Sequence, residues 1–179
     1  MITLAQPTGD VAIPQLGFGV WQVPDDDAQP AVETALEVGY RHLDTARIYG
    51  NEHGVGRAIR ASGLAREELF VTTKVWNSDH GADATRAAIE GSLERLGLDR
   101  LDLYLIHWPT PEQDRYSQTW STLLQLREEG LARAVGVCNF HVDHLKRLRK
   151  DTGELPVINQ VELHPYLQQS DLRDFHVSH

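Results

Sequence analysis

Short apolar runs that stop at a polar residue recur along this chain, and they constrain its fold more than any other feature. Tyr40 to Asp44 (YRHLD), Leu69 to Lys74 (LFVTTK) and Leu101 to His107 (LDLYLIH) are each short enough for a buried strand, and each precedes a segment with helical spacing of apolar residues. Such alternation reads as a βα repeat, and hence as a parallel sheet covered by helices. Where a sheet of this kind curls into a (β/α) barrel, the C-terminal ends of successive strands share one mouth. Asp44, Lys74 and His107 are expected to converge there although about thirty positions separate each from the next. An acid, a cation and an imidazole meeting at one mouth, with Tyr49 just beyond the first, point to chemistry.

The other segments fit the same unit. Ile2 to Leu4 and Val11 to Ile13, on either side of the turn residues Pro7 to Asp10, predict a short hairpin ahead of the main fold. Leu16 to Val20 predicts a first parallel strand. Asp25, Asp26 and Asp27 then suit a helix N-terminus, Ala28, Ala31, Val32, Ala35, Leu36 and Val38 supply its apolar stripe, and Gly39 ends it. Further helices are expected over Glu52 to Ala61, Asp83 to Leu96, Ser117 to Glu129 and His141 to Lys150, with strands at Ala132 to Val137 and Val157 to Glu162. Ser170 to His179 reads as the start of a sixth helix.

Size bears on how far such a sheet can close. At 179 residues the chain can bury one good core, and residues 1–179 are expected to form a single domain. Six βα units fall short of the eight, in about 250 residues, that close a barrel. An open parallel edge leaves unpaired backbone groups and an uncovered apolar wall. The chain is therefore either a smaller open α/β sheet or the N-terminal part of a longer barrel. The ending DLRDFHVSH, with no helix stop and no polar tail, favours the second: an incomplete (β/α)8 TIM barrel of about six units, with an N-terminal hairpin, lacking the last two. Its open edge would let the piece self-associate.

Composition excludes several function classes. A formal net charge of -9 leaves no broad basic surface for a nucleic acid. No run approaches the roughly 20 apolar residues of a membrane span, and the N-terminus has no basic stretch followed by an apolar core, so the expected setting is cytoplasmic, with no membrane partner. Cys138, the single cysteine, has no internal disulfide partner and is expected as a small buried residue.

Six motifs, in one order, carry a resemblance: GFGVW at Gly17 to Trp21, LDTAxxYGNE at Leu43 to Glu52, VTTK ending at Lys74, LIHWP at Leu105 to Pro109, GVCNF at Gly136 to Phe140, and NQVELHP at Asn159 to Pro165. The chain resembles the aldo-keto reductases. That resemblance implies a (β/α)8 barrel, usually monomeric, that reduces small aldehydes and ketones with NADPH, sometimes NADH, and no metal. It places a catalytic tetrad on Asp44, Tyr49, Lys74 and His107, and nicotinamide contacts on Asp44, Cys138, Asn139 and Gln160. Cys138 stands where the family usually has serine, a stronger hydrogen-bond partner than a thiol. The adenosine-holding loops after strands seven and eight are missing from the sequence, so weak NADPH binding is expected, and neither the physiological substrate nor the preference between NADPH and NADH is legible.

The chemistry of carbonyl reduction needs a proton donor for the developing alkoxide and a group that polarises the carbonyl. Tyr49 is the natural donor, although a free phenol titrates near 10. A cation about 4 Å away at an effective dielectric near 20 is worth about 4 kcal/mol, or about three pKa units, so Lys74 is expected to bring Tyr49 to about 7. Asp44 would keep Lys74 charged. His107, neutral, would orient and polarise the carbonyl, while Trp21, Trp76 and Trp108, each close to a strand end, would wall an apolar substrate pocket together with His107.

Taken singly these residues have plainer roles as turn, cap or solvated positions. Trp120 falls in the stripe Trp120, Leu123, Leu124 and is expected in the core, the cluster Lys146, Arg147, Arg149, Lys150 on a solvated helix face, and Glu162 and His164 in packing or support. Two other functions compete: a non-catalytic cofactor-sensing or interaction barrel, and a barrel metallohydrolase with His42, Asp44, His107 and His164 as ligands, among which Lys74 would be a competing cation.

Overall fold

The computed structural model describes residues 1–179. The chain opens with an antiparallel hairpin of β1 (Ile2–Leu4) and β2 (Val11–Ile13). Six βα units follow: β3 (Phe18–Gly19) and α1 (Asp25–Glu37), β4 (His42–Asp44) and α2 (Glu52–Ala61), β5 (Phe70–Val75) and α3 (Ala82–Leu96), β6 (Leu101–Ile106) and α4 (Tyr116–Glu128), β7 (Ala132–Cys138) and α5 (Val142–Thr152), β8 (Asn159–Gln160) and α6 (Ser170–Val177). Strands β3 to β8 form one parallel sheet in sequence order, because each helix carries the chain back to start the next strand alongside the last.

Alternation along β5, β6 and β7 builds two apolar layers. Val71, Val75, Tyr104, Ile106, Val135 and Val137 face outward and pack with Val32, Val55, Ile89, Trp120, Leu123 and Leu148 from the helices, forming the main core. Phe70, Leu103, Leu105, Ala134 and Cys138 face inward. There the hairpin residues Leu4, Val11 and Ile13 cover them, so the hairpin plugs the interior of the curled sheet. Buried Asp102 accepts hydrogen bonds from the Val71 backbone amide at 2.9 Å, from Arg66 at 2.6 Å and from Arg133 at 2.9 Å, which ties β5, β6 and β7 together.

Helix bounds fall within about two residues of the sequence expectation, but the outer strands are shorter than expected, each trimmed at both ends. β3 and β8 keep two residues each because each has a neighbour on one side only, and a single ladder holds less of the strand in register. Val38, expected in the apolar stripe of α1, caps the helix instead and is exposed, since the chain turns away there into Gly39 at φ 101°. Trp120 is fully buried, as its stripe implies. In the basic cluster, Arg147 pairs with Asp114 and Asp151 and lies over the Tyr116 ring.

Candidate active site

The C-terminal ends of the parallel strands bring Asp44, Lys74 and His107 together. Asp44 ends β4 beside Thr72, and Lys74 lies one strand over beside Leu105 of β6. The Lys74 ammonium is buried and ion-paired with Asp44 Oδ1, and it also donates to the Thr45 carbonyl at 3.0 Å. Burial, the largest influence, disfavours the charged amine, but Asp44, Cys138 and Tyr49 outweigh it, and the Lys74 pKa stands above its ordinary value. Lys74 is thus a permanent cation inside the sheet.

Tyr49 ends a one-turn 3-10 helix, Arg47–Tyr49, that follows β4. Its ring lies under the Lys74 ammonium, 5.3 Å from centroid to nitrogen. The phenol does not move down toward neutrality, as the sequence argument expected; it is raised above its ordinary value. Burial is the largest cause; Lys74 pulls the value down, and the Asp44 carboxylate pushes it back up. Burial of the phenol, which a single charge pair leaves out, outweighs the pull of the cation, and the anion bonded to that cation offsets part of the pull.

His107 follows β6 and lies edge-on to both Tyr49 and Trp76, with ring centroids 5.6 Å and 5.1 Å apart. Burial lowers its pKa to about 4, the Lys74 cation adds to this, and Asp44 offsets only part. The ring is therefore neutral at physiological pH. Its Nδ1 is buried without a partner. An unpaired N–H there is costly, which favours the tautomer that carries its hydrogen on Nε2.

These rings border a cleft of about 500 Å³ lined by Trp21, Ile48, Tyr49, Trp76, His107, Trp108 and Asn139. All three tryptophans singled out in the sequence meet there. Trp21 and Trp108 are exposed on its rim and Trp76 is half-buried.

Cys138, Asn139 and Gln160 sit at the ends of β7 and β8, with Cys138 beside Gln160 in the sheet. Gln160 Nε2 donates to Asp44 Oδ2 at 2.8 Å, and the Cys138 thiol donates to Gln160 Oε1 at 3.7 Å. Burial pushes the Cys138 thiol up to about 12. Asn139 has a left-handed backbone at φ 63° and donates from Nδ2 to the His107 carbonyl at 2.9 Å. Gln160 is thus engaged with the Asp44 carboxylate, a link the sequence did not suggest.

The ligand set His42, Asp44, His107, His164 is not brought together. His42 bonds Thr72 at 3.0 Å on the inner face, Asp44 is held by Lys74, and His164 pairs with Glu162 at 2.8 Å on an exposed loop. No three His, Cys, Asp or Glu side chains are grouped as metal ligands would be.

Sequence reasoning passed over three polar residues around Tyr49 that are completely buried: Thr45, Asn51 and Glu52. Thr45 Oγ1 donates to Asn51 Oδ1 at 2.7 Å, and Asn51 Nδ2 donates to the carbonyls of Val20 at 2.8 Å and Val23 at 2.9 Å. Glu52 accepts from Thr73 Oγ1 at 2.6 Å and Arg95 Nε at 2.7 Å. The available signal was the run of polar residues, YGNE, at the start of an otherwise amphipathic helix.

A curled parallel sheet with a buried acid–cation pair, a phenol and a neutral imidazole at its strand ends defines a protein of the (β/α)-barrel class with an acid–base site at its mouth. The chain belongs to the aldo/keto reductase family, whose model matches residues 15–179. It is 54% identical over 167 residues to methylglyoxal reductase DkgA of Yersinia pestis, covering 93% of this chain and 60% of that protein. Among solved structures, an aldo/keto reductase from Brucella melitensis superposes with a TM-score of 0.91 at 55% identity, covering 93% of this chain and 65% of that one. A mutant of Gox0644 in complex with NADPH gives 0.89 at 46% identity, covering 93% of this chain and 60% of that one. The chain therefore spans about 60% of the length of the curated relatives it matches. No helix is long and apolar enough to cross a membrane.

Proposed function

We propose that these residues serve the reduction of a small aldehyde or ketone to an alcohol, with Tyr49 as proton donor and NADPH as cofactor. One observation carries this reading: the buried Asp44–Lys74 pair lies against the Tyr49 ring, and Tyr49 and His107 together face an aromatic cleft. The relative from Yersinia pestis is named for methylglyoxal, and a mutant of Gox0644 is seen with NADPH, which supports the carbonyl class and the cofactor.

The residues present fit a nicotinamide amide. Asn139 lines the cleft with its amide nitrogen already engaged by the His107 carbonyl, which leaves Oδ1 as an acceptor for the carboxamide N–H. Gln160 and Cys138 would flank it from β8 and β7. The bound cofactor supplies hydride to the carbonyl carbon. The chain's own work lies on the oxygen. His107 Nε2–H points a hydrogen bond at it and fixes its direction. Tyr49 holds its proton on Oη throughout the neutral range, because its pKa is raised, and releases it to the much more basic alkoxide. Lys74 steadies the tyrosinate left behind, and Asp44 keeps Lys74 charged and in place. Trp21, Trp76 and Trp108 keep water from the apolar end of the substrate.

The test is the decay of NADPH absorbance with methylglyoxal, comparing this chain with Tyr49→Phe. Turnover that falls at least about 100-fold in the variant, with the fold intact, supports the donor role. Turnover that persists in Tyr49→Phe rejects it.

A further inference from the structure

We propose that Asn51 is a positioning residue of this site: its amide, clasped by the Thr45 hydroxyl, sets where the Tyr49 phenol stands against Lys74 and against the Trp21 wall of the cleft. The inference rests on the role given above to Tyr49.

Three observations carry it. The Asn51 side chain is fully buried, and its oxygen and both amide hydrogens have partners: it accepts from Thr45 Oγ1 at 2.7 Å and donates to the Val20 and Val23 carbonyls at 2.8 and 2.9 Å. A buried amide so fully satisfied holds one orientation, since any rotation leaves buried donors without partners. Its two carbonyl partners bracket Trp21, so the same amide fixes the loop that carries the aromatic rim.

Thr45 is the second element. Its hydroxyl holds Asn51, and its carbonyl accepts from the Lys74 ammonium at 3.0 Å. One residue therefore touches the cation directly and the tyrosine-bearing turn through Asn51. The hydroxyl-to-amide bond closes residues 45 to 51 into a ring, with Tyr49 on its 3-10 turn and Gly50 in the left-handed conformation that turns the chain into α2.

Glu52 secures the far end. It accepts from Thr73 Oγ1, the neighbour of Lys74 on the opposite face of β5, and from Arg95 of α3. Glu52 thereby pins the turn to the strand that carries the cation and to α3, while Asn51 holds it to the β3–α1 loop. Neither Thr45 nor Asn51 reaches the cleft, whose lining includes neither, so both act through Tyr49 and Trp21.

The experiment uses Thr45→Val, which keeps the shape and removes the hydroxyl donor, Asn51→Ala, and Thr45→Ser as the variant that restores the hydroxyl. In the unmodified chain, NMR should give contacts between the Tyr49 and His107 rings and backbone order at Tyr49 and Gly50 equal to that of α2. Thr45→Val and Asn51→Ala should lose the ring contacts, and where turnover is measurable kcat should fall about 10–100-fold, with KM for the carbonyl within about threefold. Thr45→Ser should recover both. Ring contacts and kcat that survive in folded Thr45→Val and Asn51→Ala overturn the proposal. If both variants lose their cooperative melt, the unmodified chain decides: a Tyr49–Gly50 segment as mobile as the chain ends overturns it, and one as rigid as α2 upholds it. Absence of turnover in the unmodified chain counts against the reductase reading alone, because the ring contacts and backbone order are read without turnover.

Discussion

Burial and pairing compete at single ionisable groups here, and the balance differs from one to the next. Lys74 keeps its charge in the interior because Asp44 is bonded to it, while the less enclosed His107, with no carboxylate in contact, is lowered to about 4. That histidine makes a pH prediction. Between its ordinary value of 6.5 and its native value of about 4 the unfolded chain binds the extra proton and the native chain does not. Stability is therefore full above about 6.5, drains as the pH falls through this window, and stops changing with His107 below about 4. Melting temperatures between pH 7 and 4 should fall less steeply for His107→Gln than for the unmodified chain; equal slopes would place the native pKa near the ordinary value. Rates should behave in parallel, flat through neutrality and declining on the acid side as His107 protonates. The identities of Asp44, Tyr49, Lys74 and His107 could be picked out of the sequence because strand ends and polar residues coincide. Their energetics could not, because the burial that raises Tyr49 comes from the packed fold, the cation beside it is partly offset by a residue thirty positions from that cation, and Gln160 reaches Asp44 from 116 positions along the chain.

Secondary-structure elements in this fold are held at distances that certain residues permit. α2 lies between α1 and α3, and a Cβ on Gly56 would stand 2.5 Å from the Leu96 carbonyl oxygen and 2.9 Å from that of Arg95. Both contacts are backbone, so no side chain can swing away. Gly56→Ala should push α2 off α3 and destabilise the chain by about 1–3 kcal/mol, read as a lower urea midpoint at unchanged slope. An unchanged midpoint would mean the helices are less closely packed than described. This approach was invisible in the sequence, where a helical glycine reads only as a weak position. Helix positions, by contrast, were legible nearly to the residue, since the 3.6-residue spacing of Val55, Ala58 and Ile59, or of Ile89, Leu93 and Leu96, repeats over several turns. Short outer strands lack that redundancy, and β3 and β8 were expected longer than they are.

At the scale of the whole molecule, the sheet has two differently organised ends. The N-terminal ends of the strands are sealed by the hairpin and by the Asp102 ion cluster, while the C-terminal ends hold the cleft. Structural closure thus lies at one end and the candidate site at the other. Cys138 reports on the interior between them: it is 2% exposed, its thiol is pushed up to about 12, and it packs in the inner layer with Leu103 and Leu105. Alkylation should be undetectable in the native chain and should appear only with the global transition, so that labelling and unfolding share one urea midpoint. Labelling well before that midpoint would identify a separate opening of β7 from β8. The parallel order itself was readable from the alternation of strand and helix segments, and the hairpin from its turn residues. That the hairpin packs inside the sheet was not, since three apolar side chains on a short ribbon do not announce which surface they cover.

Thr73 and Lys74 are adjacent on β5 yet serve opposite sides of the sheet, the first bonding Glu52 in the helical layer and the second Asp44 at the mouth. A strand that paired one residue out of step would exchange them, moving the ammonium to the helical layer and leaving Asp44 without its cation. Chains paired this way would be less stable than the correctly registered one, because a buried ion pair is broken. The polar partners on the two faces of β5 therefore also proofread its assembly, and loss of the Lys74 charge would weaken that selection.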